Sequence, residues 1–93
     1  MSNNFDGKRK IESALSKRTE TAMKIRIIFK DGKSCVFVYY KNNRFLDLWE
    51  LGRSHDTLLS HKRLSVDSVL SSVLSYVAEN FSDIAEITVE GGI

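Results

Sequence analysis

The chain has no proline, one cysteine, five glycines and, after Arg63, no lysine or arginine. Without proline there is no rigid linker and no slow prolyl isomerisation in folding. A single cysteine excludes an internal disulfide and a cysteine-rich metal site. It points to a reducing, cytoplasmic setting in which Cys35 is a small buried thiol. No apolar run reaches the roughly 18 residues that a membrane-spanning helix needs. The opening MSNNFDGKRK is polar and then basic, with no apolar h-region behind it, so no secretory signal is expected.

What is present describes one small domain. A chain of 93 residues makes a single domain whose core is modest, burying roughly 60–68% of the surface exposed when unfolded. The formal net charge of +2 says little, but its distribution is uneven. All 14 lysines and arginines lie in residues 1–63 beside seven acids, a balance of +7. Residues 64–93 carry five acids and no basic residue, a balance of −5. Such asymmetry marks either contact with a polyanion or pairing between the two halves of the chain.

Residues 1–22 are polar, with Ile11, Ala14 and Leu15 forming a narrow apolar stripe at helical spacing. They are expected to be a flexible arm or a short docked helix, with residues 23–93 as one α+β domain. The stretch KIRIIFKDGKSCVFVYY reads as a β-hairpin about Asp31-Gly32, since Asp-Gly suits a two-residue turn with positive φ. Asn42-Asn43 marks a second tight hairpin leading into FLDLWEL, where a helix over 44–51 is the rival reading. Residues 52–63 read as a loop or a short helical turn. Then Val66, Val69, Leu70, Val73, Leu74, Val77 and Phe81 follow helical spacing closely. Ser65 is placed to cap that helix, and Asp67 suits its first turn. The closing SDIAEITVE alternates as a strand.

These elements predict a two-layer α+β fold. A three-strand antiparallel meander over 24–51 and a parallel C-terminal strand over 84–90 form a mixed four-stranded sheet in the order 3-2-1-4. One main helix, 65–81, covers one face. The final strand lies beside the first because a right-handed crossover puts it there. Glu86 and Glu90 then share a face with Lys24, Arg26 and Lys30, where opposite charges attract across strands. In the order of its elements alone, MKIRIIFKDGKS through to the closing Gly-Gly resembles ubiquitin-like β-grasp proteins. The third strand precedes the helix here and Ile93 follows the glycines, so no function is implied.

SCVFVYY, residues 34–40, is apolar on both faces. Two-residue turns set Ile25, Ile27, Phe29, Val36, Val38, Tyr40, Phe45, Trp49 and Leu51 on one face, broken by Asp47, and the main helix is expected there. The opposite face then holds Ile28, Cys35, Phe37, Tyr39, Leu46 and Leu48. Of these, Ile28, Phe37, Tyr39, Leu46 and Leu48, rimmed by Lys41 and Arg44, form the expected partner-binding surface. The partner is a protein or a second copy of the chain. A competing reading covers the same residues with the N-terminal segment through Ile11, Leu15 and Met23.

Aromatic residues among basic ones also suit nucleobase stacking. The alternative function is therefore binding of RNA or single-stranded DNA through the same face and through Arg53, His61, Lys62 and Arg63. A third is metal-independent RNA cleavage by His55 and His61, imidazoles suited to proton transfer near neutrality. Ser68, Ser71, Ser72 and Ser75 form a small, uncharged outer helix face that permits close approach of another surface. No metal site, cofactor, membrane contact or small-molecule substrate is indicated: two histidines six apart supply no zinc pattern. The expectation is a small non-enzymatic protein-binding module of the inhibitor or adaptor type.

Overall fold

A computed structural model describes residues 7–17 and 22–91 of the chain. The elements in order are α1 (Gly7–Ser16), β1 (Ala22–Phe29), β2 (Ser34–Tyr40), β3 (Phe45–Leu51), β4 (Thr57–Arg63), α2 (Val66–Asn80), a 3₁₀ turn (Phe81–Asp83) and β5 (Ile84–Gly91). Of the arm or docked helix expected over residues 1–22, residues 1–6 and 18–21 fall outside the described residues, as do the closing Gly92-Ile93. The fold is α+β: one sheet with both helices on the same face.

The sheet has five strands, not four, in the order β4-β3-β2-β1-β5. Residues 57–63, expected as loop, form the edge strand β4. Its side chains are nearly all exposed, with Leu58 at 43% and Leu59 at 52%, so no buried face imposes an apolar alternation. Its basic residues are typical of an edge that must not pair with other sheets. The extra strand also changes direction parity. β5 lies beside β1 as expected, but runs antiparallel to it, and the whole sheet is antiparallel. The fourth strand before the helix ends the likeness of element order to β-grasp proteins.

The first hairpin decides which residues are inside. Its loop has three residues, not two. Phe29 N–H donates to Lys33 O at 2.8 Å, Gly32 N–H donates to Phe29 O at 3.0 Å, and Gly32 holds φ +91. This is a type I turn closed by a left-handed residue, a geometry that favours glycine. Asp31 Oδ1 steadies it by accepting from Lys33 N–H at 2.9 Å. Ile25 therefore faces Phe37 and Ile27 faces Cys35, one residue away from the expected register. The second hairpin keeps its expected register, Val36 opposite Trp49 and Tyr40 opposite Phe45, around a four-residue loop in which Arg44 takes φ 60.

One residue of slip turns a strand over. Phe37 and Tyr39 consequently point into the same interior as Val73. The core unites Met23, Ile25 and Ile27 of β1 with Cys35, Phe37 and Tyr39 of β2 and Leu46 and Leu48 of β3. Val69, Val73 and Val77, the inner stripe of α2, pack there. So do Ile11 and Ala14 of α1, which lies beside α2 and over β5. Val66 and Phe81, the outer members of the expected stripe, are exposed. Ser65 stands at the N-cap, yet its Oγ meets Ser68 Oγ at 3.2 Å and no backbone N–H.

Polar groups in this core are tied down. Tyr39 is fully buried, and its hydroxyl donates to Leu64 O at 3.1 Å, fastening β2 to the link between β4 and α2. Phe37 meets Tyr76 edge-on, ring centroids 5.2 Å apart. Burial pushes the Tyr76 phenol up to about 12, helped by the hydrogen bond to Cys35 and the charge of Glu50. Burial likewise raises the Cys35 thiol and Tyr39. An unfolded chain releases a tyrosine proton near 10, whereas the folded chain holds that of Tyr76 to about 12. The native state then binds more protons than the unfolded state, so stability is complete below about 10 and declines as pH rises towards 12. Tyr76→Phe is expected to flatten that decline, read as the urea midpoint across the same window.

Candidate binding face

The corrected register exposes a different sheet face from the expected one. Four rows of side chains cross it. The first runs Leu51, Ser34, Ile28, Glu86. The second runs Leu58, Trp49, Val36, Arg26, Thr88, and the third His61, Asp47, Val38, Lys24, Glu90. The fourth is Arg63, Phe45, Tyr40, Ala22. Ala22, Val36, Val38, Trp49 and Leu51 form a second apolar cluster, to which no helix residue belongs. The valines are only 7% exposed because longer side chains flank them. The result is a shallow groove of about 690 Å³ along β2, with Trp49, Leu51 and the loop residues Gly52 and Asp56 on one side, Lys24 and Arg26 on the other and Tyr40 of β2 itself at one end.

At the β4 side of this face, His61 Nδ1 lies 2.5 Å from Asp47 Oδ1. The imidazole stacks on Phe45, centroids 4.3 Å apart and planes 19° from parallel. Asp47 is 7% exposed beside Val38, so His61 is the partner that makes its burial tolerable. An aspartate on Nδ1 is the arrangement that orients a general base. On the open face His61 is flanked by Phe45, Asp47 and Arg63, while its chain neighbours Ser60 and Lys62 line the cleft on the helix side. His55 lies in the 52–56 loop, where its Nδ1 meets Ser54 Oγ at 3.2 Å. Four residues of strand, about 13 Å, separate Thr57 from His61. The two histidines are therefore not brought together.

The residues expected to bind a partner are redistributed. Phe37, Tyr39, Leu46 and Leu48 are core, which corrects their placement on an uncovered face; α1 and α2 lie over that side. Ile28 is on the open face, half-buried. Lys41 reaches α1: its Nζ donates to Ala14 O at 2.6 Å and Lys17 O at 2.7 Å, capping the end of that helix. Arg44 is exposed, and its carbonyl accepts from Leu64 N–H at 2.8 Å. The expected nucleic-acid residues scatter. Arg53 is in the loop, Lys62 faces the helix side, and His61, paired with Asp47, and Arg63, opposite Phe45, face the open side. Lys24 and Arg26 share the open face with Glu86 and Glu90 as expected, with Lys24 directly opposite Glu90.

The outer serines of α2 line a second, smaller cleft. Ser71, Ser72 and Ser75 face Ser60 and Lys62 of β4 across a floor of Phe37, Leu46 and Leu48, enclosing about 420 Å³. Among the described residues no group of three or more histidines, cysteines or carboxylates is placed to hold a metal, and no helix is long and apolar enough to cross a membrane.

Sequence reasoning missed Val36, Val38, Tyr40 and Trp49 as surface residues. One signal for them was present. Asp47 breaks its β3 face in the middle, between Phe45 and Trp49, whereas the other face runs Leu46, Leu48 and meets its charge, Glu50, only near the end of the strand. The face whose centre carries no charge is the one that belongs inside. No protein-family model, curated protein or solved structure matches this chain.

Proposed function

We propose that this protein is a small, non-enzymatic protein-binding module of the inhibitor or adaptor type, acting in the cytoplasm through the open face of its sheet. One observation carries the reading: Val36, Val38, Trp49 and Leu51 form an apolar cluster that no helix covers, flanked by Lys24 and Arg26. Apolar, aromatic centres with basic rims are the anatomy of protein interfaces. The carboxylates Asp47, Glu86 and Glu90 on the same face favour a protein surface of mixed charge over a polyanion. The buried, unpaired Cys35 fits a reducing compartment.

Trp49→Lys tests it. The substitution puts a charge at the centre of the face and leaves the core untouched. Used as bait against the proteins of its source cell, the wild type is expected to capture a defined protein, its own copies included. The variant is expected to lose that protein while its circular dichroism is unchanged. Capture that survives the substitution overturns the reading. So does retention on a polyanion column that falls steeply with salt, the behaviour of a nucleic-acid binder.

A further inference from the structure

We infer that the occupant of the open face is a second copy of this chain, packed face to face about a two-fold axis that runs along β2. This rests on the protein-binding reading above and names its partner. The observation is the order of charges across the sheet. β2 is the middle strand of five, so such an axis lays β3 over the partner's β1 and β4 over the partner's β5. It also preserves position along the strands, so each row meets itself reversed.

The reversed rows are complementary. In the third row His61 meets Glu90 of the other copy, Asp47 meets Lys24, and Val38 meets Val38 on the axis. In the second, Trp49 meets Arg26, the pairing of ring and guanidinium that cation–π attraction favours, and Val36 meets Val36. In the first, Leu51 meets Ile28, and in the fourth Phe45 meets Ala22 around Tyr40. In the second and third rows, which carry the paired charges, no like charges face each other; Glu86, at the β5 end of the first row, lies outside this pairing, towards the partner's 52–56 loop. A two-fold axis across the strands would instead set β1 on β1, with Lys24 and Arg26 against lysine and arginine. The sign pattern thus selects one of the two in-plane symmetries.

The geometry is an ordinary one. Two sheets stack about 10 Å apart with strands within about 30° of each other. Five strands at about 4.8 Å spacing and seven residues at about 3.4 Å cover roughly 600 Å² in projection. Side-chain relief brings this near the ~800 Å² per partner of a standard interface.

The test is a charge exchange. The wild type is expected to sediment at twice the 10.6 kDa chain mass. Lys24→Glu sets a carboxylate against Asp47 of the other copy at both symmetric contacts, and Asp47→Lys sets a lysine against Lys24 at both. Each variant alone is expected to dimerise about 100-fold more weakly, because facing like charges are strongly unfavourable. Mixed in equal amounts, they restore both contacts and form a heterodimer. Should Asp47→Lys not fold, isotope-filtered NOEs in a mixed-label wild-type sample decide, since Trp49 ring protons must see Arg26 of the other copy. A wild type that stays at 10.6 kDa at high micromolar concentration overturns the dimer. So does a dimer that is indifferent to the exchange and shows no such NOE. The Trp49→Lys bait result stands apart from these outcomes, so loss of the dimer and loss of the protein-binding reading are told apart.

Discussion

Deleting Asp31 should leave a chain that no longer unfolds cooperatively. The loop Lys30–Gly32 then has two residues, and the register of β1 against β2 shifts by one. With Ile25 and Ile27 held inside, Phe37 and Tyr39 must turn outward. With Phe37 and Tyr39 held inside, Lys24 and Arg26 must enter the core. Exposing large core side chains costs about 1.5–3 kcal/mol each, and Phe37, Tyr39, Leu46 and Leu48 turn together. Total stability for a domain of this size is only about 5–14 kcal/mol. Asp31→Asn, which keeps the loop length, should melt near the wild type. Thermal unfolding followed by circular dichroism distinguishes the two. A deletion variant with a sharp transition within a few degrees of the wild type would show that the turn does not set the faces.

Phe37→Ala should cost about 3–5 kcal/mol, the range for removing a buried phenylalanine. Phe37 contacts the edge of Tyr76 and lies in the same cluster as Val73 and Leu48. The cavity cannot collapse easily between two layers of regular structure. Trp49→Ala, although it removes a larger ring, should cost less than half as much, because its neighbours Val36, Val38 and Leu51 are on the face without a helix. Urea midpoints of the two variants, with unchanged slopes and at a concentration low enough to keep the chain monomeric, measure the difference. If the tryptophan variant proved the less stable, the assignment of faces would be inverted. A charged residue at position 37 would unfold the protein and so says nothing about binding.

Much of the architecture was legible one element at a time. The α2 stripe of Val69, Val73 and Val77 is written in helical period, and the alternation of β5 in period two. The two-sided apolarity of residues 34–40 marked a strand with two apolar faces, but the face expected under the helix, that of Val36 and Val38, is the one the helices leave uncovered. β4 was not legible, because an edge strand whose side chains face water shows no alternation. Docking of α1 was only half legible. Ile11 and Ala14 supply the stripe, but Lys41 reaches the helix end from a loop that is remote in sequence.

The binding face was the least legible part, for a single reason. Asp31-Gly32 is compatible with a two-residue and with a three-residue hairpin, and only the parity of that loop says which side of β2 is wet. Local pattern therefore determined that β2 has two apolar sides and that Lys24, Arg26, Glu86 and Glu90 share one of them. The assembled sheet decided that Val36, Val38 and Trp49 lie on that same side. Strand periodicity is a property of each segment by itself, whereas the match between segments is set by the length of the loop that joins them, which here puts Phe37 and Tyr39 on the side of Ile25 and Ile27, beneath the helices.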